Sequence, residues 1–452
     1  MPNRRAMKTG RWARSVGPAA LAARAGTRWA GTYLAWGDRR RRKREQFVMR
    51  TAEDVTKTLG EMKGAVMKVG QVLSLMSGVV PDAMAGELAS LQSGAPPMSF
   101  QLVEQVFREE HQTQPQKLFR RFEREPFAAA SIGQVHGAQL HDGREVAVKV
   151  QYPGVREAID HDLANVGIMI SMMGRGSQGL DAGPIVRDLN EGIRGELDYL
   201  REARWQQTFA DRFRGHPFIR VPEVHHELTT SRILVQEYLN GRPFREALKW
   251  GAAERYRLAE TVFRFAFGSF YRFGLFNGDP HPGNYLLLDD GRVGFLDYGC
   301  VTSFSPEVID KFKAVLGALY AEDFEGWRAA TEEVGILTRK APFTTQELYD
   351  HMHWFWKPVL SETFHFTPEA AAEMVRRNTM GTGQGGAINR RLNIPAGQFF
   401  LTRINFGLAG LLASLDVTGP WRGIIAEYAF GAAPSTELGR ASAAANRSGP
   451  GV

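Results

Sequence analysis

The 452-residue chain has a single cysteine, Cys300, so it can hold neither an internal disulfide framework nor a cysteine-rich zinc centre. It lacks any apolar run of the ~18 residues that a membrane-spanning helix needs. The longest candidates are VGIMISMM (166–173) and GLAGLLASL (407–415). No clean apolar core follows the first basic residues, so a cleaved secretory leader is not expected. No internal repeat is visible. Acidic residues are scarce at one end only. Residues 1–50 carry 14 Lys/Arg against Asp38 and Glu45, a local +12 in a chain of net +7, so the remainder sums to −5. The basic signal thus belongs to an arm, densest at GDRRRRKREQ (37–46). Such an arm suits an anionic membrane surface or nucleic acid, and Trp29, Tyr33, Leu34 and Trp36 beside the arginines favour the membrane interface. A solvated arm or an organelle-targeting segment explains the same charges.

Val55, Leu59, Met62, Val66, Val69, Leu73 and Met76 step by three and four, which predicts an amphipathic helix over 51–77. A shorter helix is expected over 101–112. GQVHGAQL (133–140) and REVAVKVQY (144–152) flank an Asp142-Gly143 turn and read as a hairpin. Helices are expected over 155–173, 184–213 and 244–274, with a Gly-rich link at 174–183 and a strand in SRILVQEYLNG (231–241). Residues 305–430 read as mostly helical, and 439–452 as a disordered tail. This order gives an α+β protein of two lobes. GTGQGG (381–386) matches the dinucleotide pattern literally, but it follows a helical stretch rather than a strand and is read as a connection.

The chemistry concentrates in FNGDPHPGNYLLLDDGRVGFLDYG (276–299). Asp279 and Asn284 lie five residues apart, and Asp297 follows thirteen later in Asp-Tyr-Gly. Phosphoryl transfer needs an acid at the acceptor, and an amide with a second acid to hold Mg²⁺ against the phosphates. YLLLDDGRVGFLD supplies a hairpin that ends at Asp297, with Asp289 and Asp290 as turn residues. As bare turn chemistry the same residues would cap a hairpin, so the upstream half matters. Lys149 sits mid-strand between Val148 and Val150, where an unpaired charge is costly. GELDYLREA (195–203) offers Glu196, Asp198 and Glu202. On one continuous helix Asp198 and Glu202 share a face, and Glu196 points about 120° away. The backbone of Gln236, Glu237, Tyr238 and Leu239 is the candidate hinge for an adenine edge.

Together these residues resemble the UbiB/AarF (ADCK-type) family of atypical kinases, within the protein-kinase-like superfamily. The resemblance spans about residues 55–300 and rests on KVGQ (Lys68, Gly70, Gln71), AAASIGQVH (128–136), ELDYLREA and GDPHPGN with DYG. It implies a two-lobed protein-kinase-like α+β fold with a small β-sheet N-lobe, a helical C-lobe and an added N-terminal helical extension. The boundaries it suggests are 1–50 arm, 51–117 extension, 118–240 N-lobe, 241–436 C-lobe and 437–452 tail. It assigns Lys149 and Glu202 to an ion pair that orients phosphates, Asp279 to the catalytic loop, and Asn284 and Asp297 to Mg²⁺. Ala128, Ala129, Ala130, Ser131, Ile132 and Gly133 would cover the nucleotide, ATP or ADP. Lys68 and Gln71 would enter the site together, with Lys68 near Glu196, and Asp198 completes that regulatory set. Departures are Asn277 and Gly278 in place of His-Arg before Asp279, and DYG in place of DFG. The implied function is an ATP- and Mg²⁺-dependent kinase or ATPase serving isoprenoid quinone biosynthesis or lipid handling. The alternative is a nucleotide-gated lipid-binding protein with little turnover. The expected partners are nucleotide, a lipid or quinone intermediate and an anionic membrane surface, with no specific nucleic acid. The expected location is cytoplasmic or peripheral to a membrane.

Overall fold

A computed structural model describes residues 97–130, 132–157, 159, 192, 194–337, 341–379, 387–388, 392 and 399–448. The basic arm, the 51–77 helix with Lys68, Gly70 and Gln71, Ser131, the Gly-rich link and GTGQGG lie outside the described residues. The chain divides into two compact bodies: residues up to Gly143 with 148–193, and residues 144–147 with Arg194 onward.

In the first body, α1 (Phe100–His111) buries Val103, Val106 and Phe107 completely, one stripe at helical spacing. Strands β1 (Arg121–Phe122) and β2 (Ala128–Ala130) pair antiparallel with β3 (Gly133–Gln139), which neighbours β4 (Glu145–Gln151). The expected hairpin is present. Gly143 takes φ +92°, and its N–H donates to the Leu140 carbonyl. Phe107, Phe119, Phe122 and His136 form an aromatic cluster between helix and sheet. His136 Nδ1 faces the Glu123 carbonyl at 2.8 Å, an acceptor only, so that nitrogen carries the proton and Nε2 accepts from Gln134. The Gln134 amide oxygen accepts the Met98 N–H at 2.8 Å. Gln134 and His136 of the alanine-rich signature therefore tie the chain before α1 to the sheet.

The second body runs through α2 (Tyr199–Arg212), β5 (Ile219–Arg220), β6 (Ile233–Glu237), β7 (Gly241–Pro243), α3 (Ala252–Phe273), β8 (Leu275–Asn277), β9 (Tyr285–Leu288), β10 (Val293–Phe295) and β11 (Val301–Ser303). It continues with α4 (Pro306–Tyr320), α5 (Phe324–Val334), α6 (Thr345–Leu360), β12 (Phe364–Phe366), α7 (Pro368–Thr379), α8 (Phe399–Leu415), β13 (Val417–Gly419), α9 (Trp421–Phe430) and α10 (Glu437–Ser448). One sheet has the order β5-β10-β9-β7, with β5 and β10 parallel; β8 pairs antiparallel with β11. Helix α3 is buried nearly all round, which makes it the axis of the core. Phe209 and Phe213 of α2, Phe295, Leu412 and Trp421 belong to the same cluster.

Residues 194–240 fall in the second body, where Phe209, Ala210 and Phe213 join its core and β5 pairs with β10. Two expectations change. The continuous helix expected over 184–213 is broken before Tyr199, where Asp198 has an extended backbone and caps α2 by accepting the Leu200 N–H at 3.0 Å. The tail expected to be disordered from 437 forms α10 instead, with Leu438 and Ser442 each only 4% exposed.

The docking of α10 has a physical cause in α3. Arg264, 2% exposed, donates Nε to Glu260 at 2.6 Å, Nη1 to Glu427 at 2.7 Å and Nη2 to Thr436 at 2.8 Å. The Thr436 hydroxyl donates in turn to Glu260 and accepts the Gly439 N–H at 3.0 Å. A buried cation is tolerated only when so fully paired. On the same helix, Ser442 meets His216 Nε2 at 3.2 Å. Burial, then the positive charges of Arg272 and Arg264, push the His216 pKa down to about 3.

Two outcomes are expected. Arg264→Met strands Glu260 and Glu427 and should lower stability by about 3–5 kcal/mol, read as a fall in the chemical-unfolding midpoint; an unchanged midpoint contradicts the network. His216 binds a proton more readily unfolded than folded, so its stabilisation is complete above about pH 6.5 and is lost as pH falls toward 3. The slope of stability against pH between about 7 and 5 should therefore be shallower in His216→Gln than in the wild type.

Candidate active site

Two chain segments carry the acidic residues, and the β8–β11 ladder brings them together through the pair Asn277 and Val301. The Gly278 N–H donates to the Cys300 carbonyl at 2.8 Å. A Cβ at Gly278 would stand 2.5 Å from that oxygen, so the crossing requires glycine. The Asn277 amide donates to the Asp297 carbonyl at 2.7 Å, and its oxygen accepts the Asp279 N–H at 3.4 Å. One side chain therefore fixes both acid-bearing backbones.

Between them the loop folds on itself. Asn284 Nδ2 donates to the Asp279 carbonyl at 3.0 Å and to its carboxylate at 3.3 Å. The Leu296 N–H returns to the Asn284 carbonyl at 3.0 Å. Pro282–Asn284 form a single 3₁₀ turn, whose Gly283 N–H is accepted by His281 Nδ1 at 3.1 Å. The hairpin after it is as expected: Gly291 takes φ +81°, and Asp290 is spent on Arg292 at 2.6 Å. Asp279, Asn284 and Asp297 line one recess of about 360 Å³ of empty volume, open solvent included, walled by Val262, Phe265, Phe295 and Leu408. The three residues singled out by sequence spacing thus share one recess.

Burial, then the Asp279 carboxylate, raises the Tyr285 phenol well above its usual range. Burial, then Asp297, does the same for Tyr298. Both phenols therefore stay neutral near pH 7.

The second set of acids departs from expectation. A Cβ at Gly299 would lie 3.3 Å from Asp297 Oδ1 and from Glu196 Cγ, and 3.7 Å from Glu202 Oε2. Glu196 and Glu202, 6% and 1% exposed, thus converge on the Asp-Tyr-Gly turn, while Asp198 caps α2 and sits 4.0 Å from Arg204. The face-sharing expected for Asp198 and Glu202 fails because the helix breaks between Glu196 and Tyr199. Cys300 is buried and donates its thiol to Glu196 at 2.8 Å. Sequence reasoning gave no role to Asn277 or Cys300; the only signal was their position at the two strand ends.

Lys149 lies half-buried on β4. Ala128, Ala129 and Ala130 form β2, paired across the turn with Val135, Gln134 and Gly133. Ile132 is 2% exposed. In the hinge, the Glu237 carboxylate is held by Arg220 at 2.6 Å, and the amides of Glu237 and Tyr238 donate to Glu223 and Glu145.

Asn284 commits its nitrogen to Asp279, which leaves the amide oxygen as the atom for a cation, and Asp297 is the nearby carboxylate. Among the described residues no three His, Cys, Asp or Glu form a metal cage. One amide and one carboxylate suit Mg²⁺, which takes one or two carboxylates and completes its shell with phosphates and water.

The family model of the ABC1 atypical kinase-like domain matches residues 90–331. An uncharacterised protein of Synechocystis sp. is 32% identical over 72% of this chain and 57% of its own length. The mitochondrial atypical kinase COQ8 of Saccharomyces cerevisiae is 28% identical over 75% of this chain and 68% of its own. Mitochondrial COQ8B of Rattus norvegicus is 32% identical over 64% and 55%. The chain spans about half the length of the curated relatives it matches. Among solved structures, Rv3197 of Mycobacterium tuberculosis in complex with erythromycin has a TM-score of 0.62 and 30% identity, over 85% of this chain and 97% of that one. No helix among the described residues is long and apolar enough to cross a membrane.

The clamp carries its own test. Gly278→Ala should cost about 1–3 kcal/mol through overpacking against the Cys300 carbonyl, measured by thermal unfolding. A variant as stable as wild type contradicts the close crossing.

Proposed function

Because the chain belongs to the ABC1 atypical kinase-like family, we propose that it transfers or hydrolyses the terminal phosphoryl group of ATP with Mg²⁺. The observation that supports this most is the shared recess of Asp279, Asn284 and Asp297, with Asn284 bonded to Asp279. Asp279 orients the acceptor oxygen, hydroxyl or water, and receives its proton. Asn284 and Asp297 would hold a Mg²⁺ ion, which would supply neutralisation of the charge on the phosphates. The apolar wall limits water around these groups, which strengthens each charge interaction.

Lys149 takes the α- and β-phosphates, with Glu202 as its assigned partner, and Ala128 to Gly133 cover the nucleotide. The acceptor lies in isoprenoid quinone biosynthesis or in lipid handling at an anionic membrane surface. The excess of 14 cationic over two acidic residues in 1–50 supports attachment there.

The test is steady-state ATP hydrolysis with and without Mg²⁺ and anionic liposomes. Asp279→Asn should lower kcat by about 10²–10⁴, and omitting Mg²⁺ should abolish turnover. An Asp279→Asn enzyme at wild-type rate contradicts the assignment. Nucleotide binding without turnover by the wild type would favour the nucleotide-gated lipid-binding alternative. Liposome stimulation that survives deletion of residues 1–46 would rule out the arm as the membrane contact.

A further inference from the structure

Helix α8 lies beyond the segment that matches the family model, which ends at 331. It nonetheless reaches the catalytic loop. Leu408 forms part of the recess wall beside Asp279. At the preceding residue, Gly407, a Cβ would stand 2.6 Å from Pro280 Cγ and 3.5 Å from Pro280 Cδ. Pro280 directly follows Asp279, and its ring is bonded to the backbone at both ends. The ring cannot swing aside as a flexible side chain would.

We propose that Gly407 of α8 is the seat of the catalytic loop: its missing side chain lets Pro280 pack against the helix and so sets the position of Asp279. The proposal deepens the phosphoryl-transfer reading and rests on it for its kinetic part. The geometry gives a direction and a size. Ordinary carbon contacts lie near 3.5–4.0 Å, so a methyl group at 407 forces Pro280 and its neighbours to move by about 1 Å. A misplacement of that order costs roughly 10²-fold in rate. Helical propensity does not oppose the substitution, because alanine is the better helix former. The same helix supplies a control. A Cβ at Gly410 would meet nothing within 4 Å.

The experiment compares the full-length wild type with Gly407→Ala, Gly410→Ala, Pro280→Ala and the double variant Gly407→Ala/Pro280→Ala. ATP turnover, MgATP affinity and the urea-unfolding midpoint are measured for each. Pro280→Ala removes Cγ and Cδ and leaves a Cβ 3.9 Å from the place that a methyl group at 407 would take. Gly407→Ala should lower kcat about 10²-fold with MgATP affinity within about threefold, since binding draws on other residues. Gly410→Ala should match the wild type. The double variant should turn over at least about tenfold faster than Gly407→Ala, and its midpoint shift should be smaller than the sum of the two single shifts. Turnover of Gly407→Ala equal to that of Gly410→Ala, or a double variant no faster than Gly407→Ala, overturns the seat. A wild type without turnover contradicts the proposed function instead. The unfolding midpoints then decide the seat by themselves, and additive shifts overturn it.

Discussion

Everything at this site depends on a crossing of two backbones, where the Gly278 amide meets the Cys300 carbonyl and the Asn277 side chain spans to Asp297. Asp279 and Asp297 stand eighteen residues apart, on segments joined by a hairpin. The β8–β11 ladder and one asparagine hold their main chains at a fixed spacing. The cost of crowding two acids is offset by packing elsewhere in the same body.

That packing is centred on α3. Its buried face presents Val262 and Phe265 to the recess, and its buried Arg264 gathers Glu260, Glu427 and Thr436 from three separate stretches. A fully paired cation in an apolar setting has few alternatives and so specifies which helices meet. Val262 and Phe265 of α3 and Leu408 of α8 wall the recess that Asp279, Asn284 and Asp297 line.

Much of this was legible in the sequence. The interval from Asp279 to Asn284 to Asp297, the turn at Gly291 and the hairpin at Gly143 are local, and local chemistry is what a sequence displays. The break at Asp198 was not legible, because GELDYLREA is a good helix by composition and the capping geometry depends on what Glu196 and Glu202 face. Helix α10 was misread for a related reason. ELGRASAAANRS has the small, polar composition of a linker, and its docking rests on non-local contacts: buried Leu438, the Ser442–His216 bond and Thr436 on Arg264. The bonds that Cys300 and Asn277 make run across the chain rather than along it, so their spacing in the sequence carried no sign of them.

The central claim is that Asn284 and Asp297 hold a cation on which nucleotide binding depends. Calorimetric titration of ATP into the full chain, with Mg²⁺ and then with the cation chelated, tests it most directly. The account predicts saturable binding that requires Mg²⁺ and is lost in Asp297→Asn. Equal affinity with and without the cation, or an Asp297→Asn chain that binds MgATP as the wild type does, would contradict it.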